Sequence, residues 1–355
     1  MIKDVFKQLW KDKFARAALI VLGLIYLALF LADFIAPYTK DFSDRTMAYV
    51  PPSKIFTIEE NGKFSKPYTY NYRRDFDGEN LKIIYSLDRS QKHYLKFFAQ
   101  GEPYKFLGLI PMKRHLVTTD ADGRLFLLGT DINGRDVFSR LLFGGRISMT
   151  IGFLALFVLF PIGLLYGGIS GYFGGKVDTI MMRFAEAIMS IPSFYLLIIL
   201  ASVLPSGMTS IQRFMLIVII LALVGWAGFA RVVRGMVLSV KNQEFVQAAR
   251  SIGQSRLGII LKHILPQTTS FVIVAMTLSV PSYILSESGL SFLGLGIQQP
   301  DASWGNMLKE AQEFTNIISR PWLLTPGFLI FVAVLAFNLI GDTIRDVLDP
   351  KNKVR

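Results

Sequence analysis

Glu244-Phe245-Val246-Gln247-Ala248-Ala249-Arg250-Ser251-Ile252-Gly253-Gln254-Ser255-Arg256-Leu257-Gly258-Ile259-Ile260-Leu261-Lys262-His263-Ile264-Leu265-Pro266 runs between two long apolar segments. Phe245, Ala248/Ala249 and Ile252 recur at helical spacing. Gly253 breaks that helix. Ser255 is placed to cap a second one, whose stripe is Leu257, Ile260/Leu261 and Ile264. Pro266 closes the unit. Two short helices turned about a glycine, with a small-residue face, suit docking into a groove of another protein. Arg231, Arg234, Lys241, Arg250, Arg256 and Lys262 stand against Glu244 alone, which marks the loop as cytoplasmic.

The surrounding chain is that of a polytopic membrane protein. Hydrophobic residues make up 52% of the 355 and charged ones 18%, and the apolar residues fall into long runs. Six spans are predicted near the length a bilayer requires, at 15–36, 147–171, 180–204, 213–232, 267–286 and 323–341. The fifth contains Pro281, which a membrane helix tolerates when neighbours re-satisfy the freed carbonyl. A net charge of +12 reads as loops that hold orientation and touch membrane lipid, and not as nucleic-acid binding. No cysteine is present, which excludes disulfides and thiolate sites. No small-residue cleavage site follows the first apolar run, so an uncleaved signal anchor is expected. There is no evident internal repeat.

Orientation follows from the short loops. Residues 1–16 carry Lys3, Lys7, Lys11, Lys13 and Arg16 against Asp4 and Asp12, so they belong inside. Loop 287–322 carries Glu287, Asp301, Glu310 and Glu313 against Lys309 and Arg320, so it belongs outside. Both termini are then cytoplasmic. Segment 37–146 is basic yet falls outside, as long loops translocate largely regardless of charge. It holds Pro51-Pro52, many aromatics, strand-like runs at Lys82–Leu87 and Arg124–Leu128, and the turn Asp120-Ala121-Asp122-Gly123. This describes either a small outer subdomain leaning on the membrane part or a partner, or an extended segment draped over the outer face.

Further on, Leu128-Gly129-Thr130-Asp131-Ile132-Asn133-Gly134-Arg135-Asp136 reads as a turn, followed by a short amphipathic helix with Val137, Phe138, Leu141 and Leu142 on its apolar face. Arg135, Arg140 and Arg146 are placed to reach headgroups or acidic partners, as in an interfacial lead-in helix without substrate contact. Gly163, Gly167 and Gly171 form a small-residue face, either for a subunit contact or moving seam or for packing within this chain. Arg183 and Glu186 suit an intrahelical pair or snorkelling at the interface. Glu287 suits either a cationic peptide terminus, on a substrate path, or a solvated surface. Trp304 and Trp322 read as interface anchors.

Three segments, in order, carry a family resemblance. Leu128–Ser148, with Gly129-Thr130-Asp131, Gly134-Arg135-Asp136, Ser139-Arg140 and Gly145-Arg146-Ile147-Ser148, resembles the signature before the second span of permeases of the oligopeptide, dipeptide and nickel class. Gln247-Ala248-Ala249, Gly253 and His263-Ile264-Leu265-Pro266 resemble the Glu-Ala-Ala coupling loop of ABC-transporter permeases, with Gln247 in place of the usual Glu. Leu290-Ser291-Phe292-Leu293-Gly294-Leu295-Gly296, with Pro300 and Ser303-Trp304-Gly305-Asn306, resembles the loop between spans five and six. The resemblance covers about 128–349 and the first span; most of 40–127 is an insertion relative to shorter members.

The resemblance implies an all-α membrane protein of about six transmembrane helices in the type I ABC importer permease fold, with a periplasmic insertion after the first helix. It divides the chain into a cytoplasmic N-terminus and first helix (1–36), the insertion (37–128), a core permease domain (129–349) and a cytoplasmic tail (350–355). It implies half of a translocation pore for peptides or a related small solute in a bacterial inner membrane. The implied partners are a second, homologous permease, two ATPase subunits that use ATP and magnesium, and a periplasmic or lipid-anchored solute-binding protein. The implied ATPase-coupling residues are Glu244, Gln247, Ala248, Ala249, Gly253, Leu257, Ile264 and Pro266. The chain itself is then no enzyme and holds no cofactor or metal. Gly175-Lys176 is followed by Val177 and does not make a phosphate loop, and His93, His115 and His263 lack metal-ligand spacing. An ion-driven secondary transporter would need ionisable residues near the midplane, of which few are visible. A membrane-anchored receptor using 37–146 would not need the 244–266 loop.

Overall fold

A computed structural model describes residues 2–348, apart from 60, 61, 79–81, 121 and 206. The tail at 350–355 and Ala121 of the expected turn lie outside the described residues. Helices α1 (Ile2–Lys11), α2 (Lys13–Phe30) and α3 (Ala32–Ile35) come first. Strands β1 (Phe56–Ile58), β2 (Phe64–Asp77), β3 (Lys82–Tyr94), β4 (Lys96–Phe97), β5 (Gln100–Phe106), β6 (Ile110–Arg114) and β7 (Val117–Thr118) follow. The rest is helical: α4 (Val137–Phe173), α5 (Gly175–Met189), α6 (Ser193–Ser202), α7 (Ser210–Val240), α8 (Glu244–Ser251), α9 (Arg256–Ile259), α10 (Thr269–Phe292), α11 (Trp304–Leu308), α12 (Phe314–Ser319) and α13 (Thr325–Leu348).

Among the described residues, Lys13–Phe30, Val137–Phe173, Ser210–Val240, Arg256–Phe292 and Pro321–Leu348 are long and apolar enough to cross a membrane. The expected span at 180–204 is not one helix, because α5 and α6 meet at 79°. Pro192 accounts for the break. It lacks an N–H and biases Ile191 away from helical backbone, so one helix ends at Met189 and the next starts at Ser193.

The chain packs as two compact units. One comprises 1–22, 149–297 and 330–355, the other 23–148 and 298–329. In the first, the glycine face of α4 lies against α7. A Cβ on Gly167 would come 2.4 Å from the Ala230 carbonyl oxygen, and one on Gly171 would come 2.9 Å from that of Arg234. The face is therefore used for close packing within this chain. Asp178 of α5 accepts a bidentate pair from Arg234 of α7 and a hydrogen bond from Ser170 of α4, which ties three helices together. Arg183 and Glu186 form an exposed intrahelical pair at 3.1 Å.

In the second unit, β1, β2 and β3 make an antiparallel sheet, and β4–β7 and β5–β6 make two antiparallel pairs. The expected helical fold describes the membrane part, whereas the insertion is a β structure. Its core is aromatic: Tyr38, Tyr72 and Phe126 are buried with Val50, and the Tyr38 ring stacks on Phe42 at 4.1 Å and on Phe126 at 5.5 Å. The segment is thus a folded subdomain and not a draped chain. Lys82–Leu87 belongs to β3, but Arg124–Leu128 is no strand. Its N–H groups are taken by side chains, with Arg124, Leu125 and Phe126 donating to Asn71 Oδ1, the Tyr38 hydroxyl and Ser53 Oγ at 2.8–2.9 Å.

The 129–146 stretch knots this unit together. Thr130 Oγ1 accepts from the Val50 N–H at 2.7 Å and donates to the Met47 carbonyl at 2.6 Å. Gly134 has φ +68° and sits against the 44–45 backbone, where a Cβ would fall 1.7 Å from the Asp44 carbonyl oxygen. Only glycine fits there. Asp136 caps α4 by accepting from the Ser139 N–H at 2.7 Å.

Of the two partners the sequence allows the arginines, headgroups or acidic groups, the structure shows acidic ones within this chain. Arg135 and Arg140 are buried, with their Nε atoms 2.7 and 3.5 Å from Asp131 Oδ2. Arg146 pairs with Asp33 at 2.7 Å and donates to the Leu29 carbonyl. The lead-in helix is the first turns of the 37-residue α4 and not a separate interfacial helix. Trp304 is no interface anchor either. It is fully buried, and its Nε1 donates to the Leu141 carbonyl at 2.9 Å. Partly buried Trp322 donates to the Thr130 carbonyl at 3.2 Å.

Candidate functional site

The loop between α7 and α10 is built as the sequence suggests in outline, with differences in which face is used. α8 ends in paired backbone bonds around a left-handed glycine. Gly253, at φ +76°, donates to the Arg250 carbonyl at 3.0 Å, and Gln254 donates to the Ala249 carbonyl at 3.2 Å. A Cβ on Gly253 would meet nothing within 4 Å, so glycine is needed there for backbone conformation and not for space. Ser255 Oγ accepts from the Gly258 N–H at 3.2 Å and starts α9.

Pro266 does not close the unit. Helical backbone continues from Arg256 to Phe292. A π turn at Ile260–Ile264 and a 3-10 turn at Leu265–Thr268 carry the chain past the proline. Leu265 bonds back to the Ile260 carbonyl, and this wider turn makes room for a residue that lacks an N–H and crowds the preceding turn.

The loop is seated by one face and free on another. Val246, Ala249, Ile259, Ile260 and Ile264 are buried against Tyr172, Val233 and Val237. The seating stripe of α8 is therefore Val246/Ala249. The Phe245, Ala248 and Ile252 stripe points away from this core, with Ile252 74% exposed. Leu257 and Leu261 are also half exposed, whereas Ile260 and Ile264 of the same expected stripe are buried. Of the proposed coupling residues, Glu244, Gln247, Ala248, Gly253, Leu257 and Pro266 lie at the surface, and Ala249 and Ile264 beneath it.

Cations fix the rim. Arg250 Nε donates to the Tyr172 hydroxyl at 3.2 Å, and its guanidinium lies 5.0 Å from the ring centroid. Arg256 lies 5.7 Å from the Phe173 ring. These four residues, with Gln254 and Ile259, line an open cleft of about 480 Å³. The Tyr172–Arg250 contact joins residues far apart in sequence, and no local pattern announces it.

Glu287 is placed differently from both sequence readings. It is fully buried, and Ser291 Oγ donates to its Oε1 at 2.6 Å. Ser291 Oγ also accepts from the Ile297 N–H at 3.0 Å, so the group fastens the chain turning out of α10. It is neither solvated nor presented at an open surface. Among the described residues no cluster of His, Asp and Glu could hold a metal ion.

The chain belongs to the binding-protein-dependent transport system inner membrane component family, which matches residues 160–354 and so contains the whole 244–266 loop. Residues 1–52 match the N-terminal transmembrane domain of oligopeptide transport permease C. The chain is similar to the dipeptide transport system permease protein of Bacillus subtilis, with 45% identity over 63% of this chain and 68% of that protein. It is 46% identical to the oligopeptide transport system permease protein of Haemophilus influenzae, over 63% and 70% of the two chains. For the Escherichia coli K12 oligopeptide permease protein the values are 41%, 70% and 83%. This is a multi-pass inner-membrane permease subunit of an ABC importer, of the C type of the oligopeptide and dipeptide class.

Proposed function

We propose that this subunit forms half of a translocation pore with a second, homologous permease, and that the 244–266 loop couples it to two ATPase subunits. Peptides, or a related small solute, are the cargo. The transport systems of the relatives are named for dipeptides and oligopeptides, which supports this reading. A periplasmic or lipid-anchored binding protein delivers the solute, and ATP with magnesium is consumed by the partner subunits. Both termini and the loop lie in the cytoplasm, and the β subdomain lies outside. The subdomain guides the binding protein or shields the outer mouth of the pore. Alternating access follows when closure of the ATPases moves the loop, and the loop moves the spans attached to it.

One observation carries the coupling assignment. The loop holds itself in place through Val246, Ala249 and Ile259–Ile264, while Phe245, Ala248, Ile252 and Leu257 remain on its outer side. That leaves an apolar, small-residue ridge on a rigid base, suited to a groove in another protein. Gly253→Asp tests it. A Cβ there meets no atom within 4 Å, so its direct cost is a left-handed backbone, about 1–2 kcal/mol. The variant should reach the membrane at normal levels and fail to transport, with the ATPases lost from the purified complex or no longer stimulated by loaded binding protein. Wild-type uptake would remove the coupling assignment.

A further inference from the structure

The β5–β6 hairpin has no role in the transport reading above, and its composition is wrong for a hairpin in water. Turns with positive φ at both central residues favour Asn-Gly or Asp-Gly, which tolerate that backbone and are solvated in water. Here the tip is Leu107-Gly108-Leu109, and Leu107 takes φ +50° beside Gly108 at +76°. A leucine held in the left-handed region and pointed at solvent is costly twice over. Leu109 is 81% exposed, and Leu107, Ile110 and Met112 are also exposed. All five residues of β6, which pairs with β5, are exposed. Beside it, Phe97 and Phe98 are exposed too.

The hairpin's position says what covers it. It is tied to the end of a membrane-spanning helix. The Phe106 ring meets Phe30, the last residue of α2, edge-on at 5.7 Å. The Leu107 N–H donates to Asp33 Oδ2 at 3.1 Å, and Phe98 lies 5.9 Å from Phe34. His115 Nδ1 is 2.7 Å from the Ala36 carbonyl oxygen, which fixes the strand exit. Leu27 and Phe30 of α2 are themselves exposed, as residues facing lipid are. The apolar surface therefore runs from the spanning helix onto the hairpin. Lys96, Lys105, Lys113 and Arg114 are all exposed around it, against Glu102. Apolar tip, aromatic flank and basic collar are the pattern of a segment seated at a headgroup boundary.

We infer that the β5–β6 hairpin, with Phe97 and Phe98, is a membrane-seated wedge. Its tip enters the headgroup–acyl boundary of the leaflet at the Phe30 end of α2, and its lysines and arginine meet lipid phosphates. The partner is the bilayer itself, not a protein. The wedge holds the β subdomain against the membrane at a further point besides its covalent links to α3 and α4.

The absence of cysteine makes a direct test available. Leu109→Cys is introduced into the full chain, purified with its complex and labelled with an environment-sensitive fluorophore. The protein is placed in nanodiscs of phosphatidylethanolamine and phosphatidylglycerol. The same label at Phe64→Cys, 88% exposed at the start of β2, serves as the reference. The Leu109 label should emit at shorter wavelength than the Phe64 label, be quenched by lipids spin-labelled near the headgroup, and resist aqueous iodide. The Phe64 label should show the reverse. Quenching of the Leu109 label by iodide and not by lipid would overturn the inference. Shielding from both quenchers would also overturn it, since a protein would then cover the tip. Should Leu109→Cys fail to assemble, Met112→Cys is read in the same way.

Discussion

Gly167→Ala should loosen the seam between α4 and α7, and the size of the effect can be worked out. The added Cβ would stand 2.4 Å from the Ala230 carbonyl oxygen, 2.8 Å from Val233 Cβ and 3.0 Å from the Arg234 nitrogen. All three are backbone or β-branched atoms, so no rotamer change relieves the contact. Ordinary contact needs roughly 3.5 Å, so the helices must part by about 1 Å. Overpacking of this kind costs about 1–3 kcal/mol. The helix-propensity gain of alanine over glycine, about 1 kcal/mol, works in the opposite direction. Gly235→Ala on α7 supplies the control, because a Cβ there meets nothing within 4 Å. The propensity gain is common to both variants, so their difference isolates the clash at about 1–3 kcal/mol. Thermal unfolding of the purified complex in nanodiscs measures it, with Gly167→Ala expected below wild type or level with it, and Gly235→Ala at or above. Equal midpoints for the two variants would refute the argument that backbone approach at this seam requires glycine.

Gly134→Ala should be more severe, since its Cβ would fall 1.7 Å from the Asp44 carbonyl oxygen. Limited proteolysis should then cut the 40–60 region of the variant and spare wild type. Burial, reinforced by the charge of Asp131, pushes the Glu310 carboxyl up to about 7, and burial pushes that of Asp136 to about 7 as well. Both groups bind protons more tightly folded than unfolded, so their contribution is fully present below about pH 4 and is lost as pH rises through about 7. Glu310→Gln should flatten that part of a stability-against-pH curve, and an unchanged slope would count against it. For topology, a single cysteine at Ser90 should react with an impermeant thiol reagent added to intact spheroplasts, and one at Ser251 only after permeabilisation. The reversed pattern would overturn the proposed orientation.

The sequence made most of the membrane part legible, because long apolar runs and basic loops report directly on the solvent around them. It was less legible where one residue type serves two environments. Arg135 and Arg140 suit headgroups or acidic partners equally in sequence, and only the fold shows that both share Asp131 in a buried cluster. Trp304 has the composition of an interface anchor, and what decides its burial is a carbonyl at Leu141, far away in sequence. The break at Pro192 was readable from proline chemistry, yet hydropathy alone merges the two helices. In the loop, Gly253 and Ser255 have the turning and capping roles their residue types suggest, because these are local backbone effects. Which stripe of α8 packs inward depends instead on Tyr172, Val233 and Val237, contributed by other helices. Segment 37–146 reads as two alternatives because its aromatic core forms only when residues from 38 to 126 meet.

The passage of the chain through Pro266 without a break has a mechanical consequence. Arg256–Phe292 is one helical rod of 37 residues, about 55 Å long at 1.5 Å per residue. Leu257 and Leu261 stand at one end of it, and Glu287 and Ser291 are anchored at the other. A force applied at the exposed end is carried along the rod, whose irregular points are the π turn and Pro281, with no slack loop to absorb the stroke. Displacement at the surface ridge thus reaches the far end without any joint having to unfold.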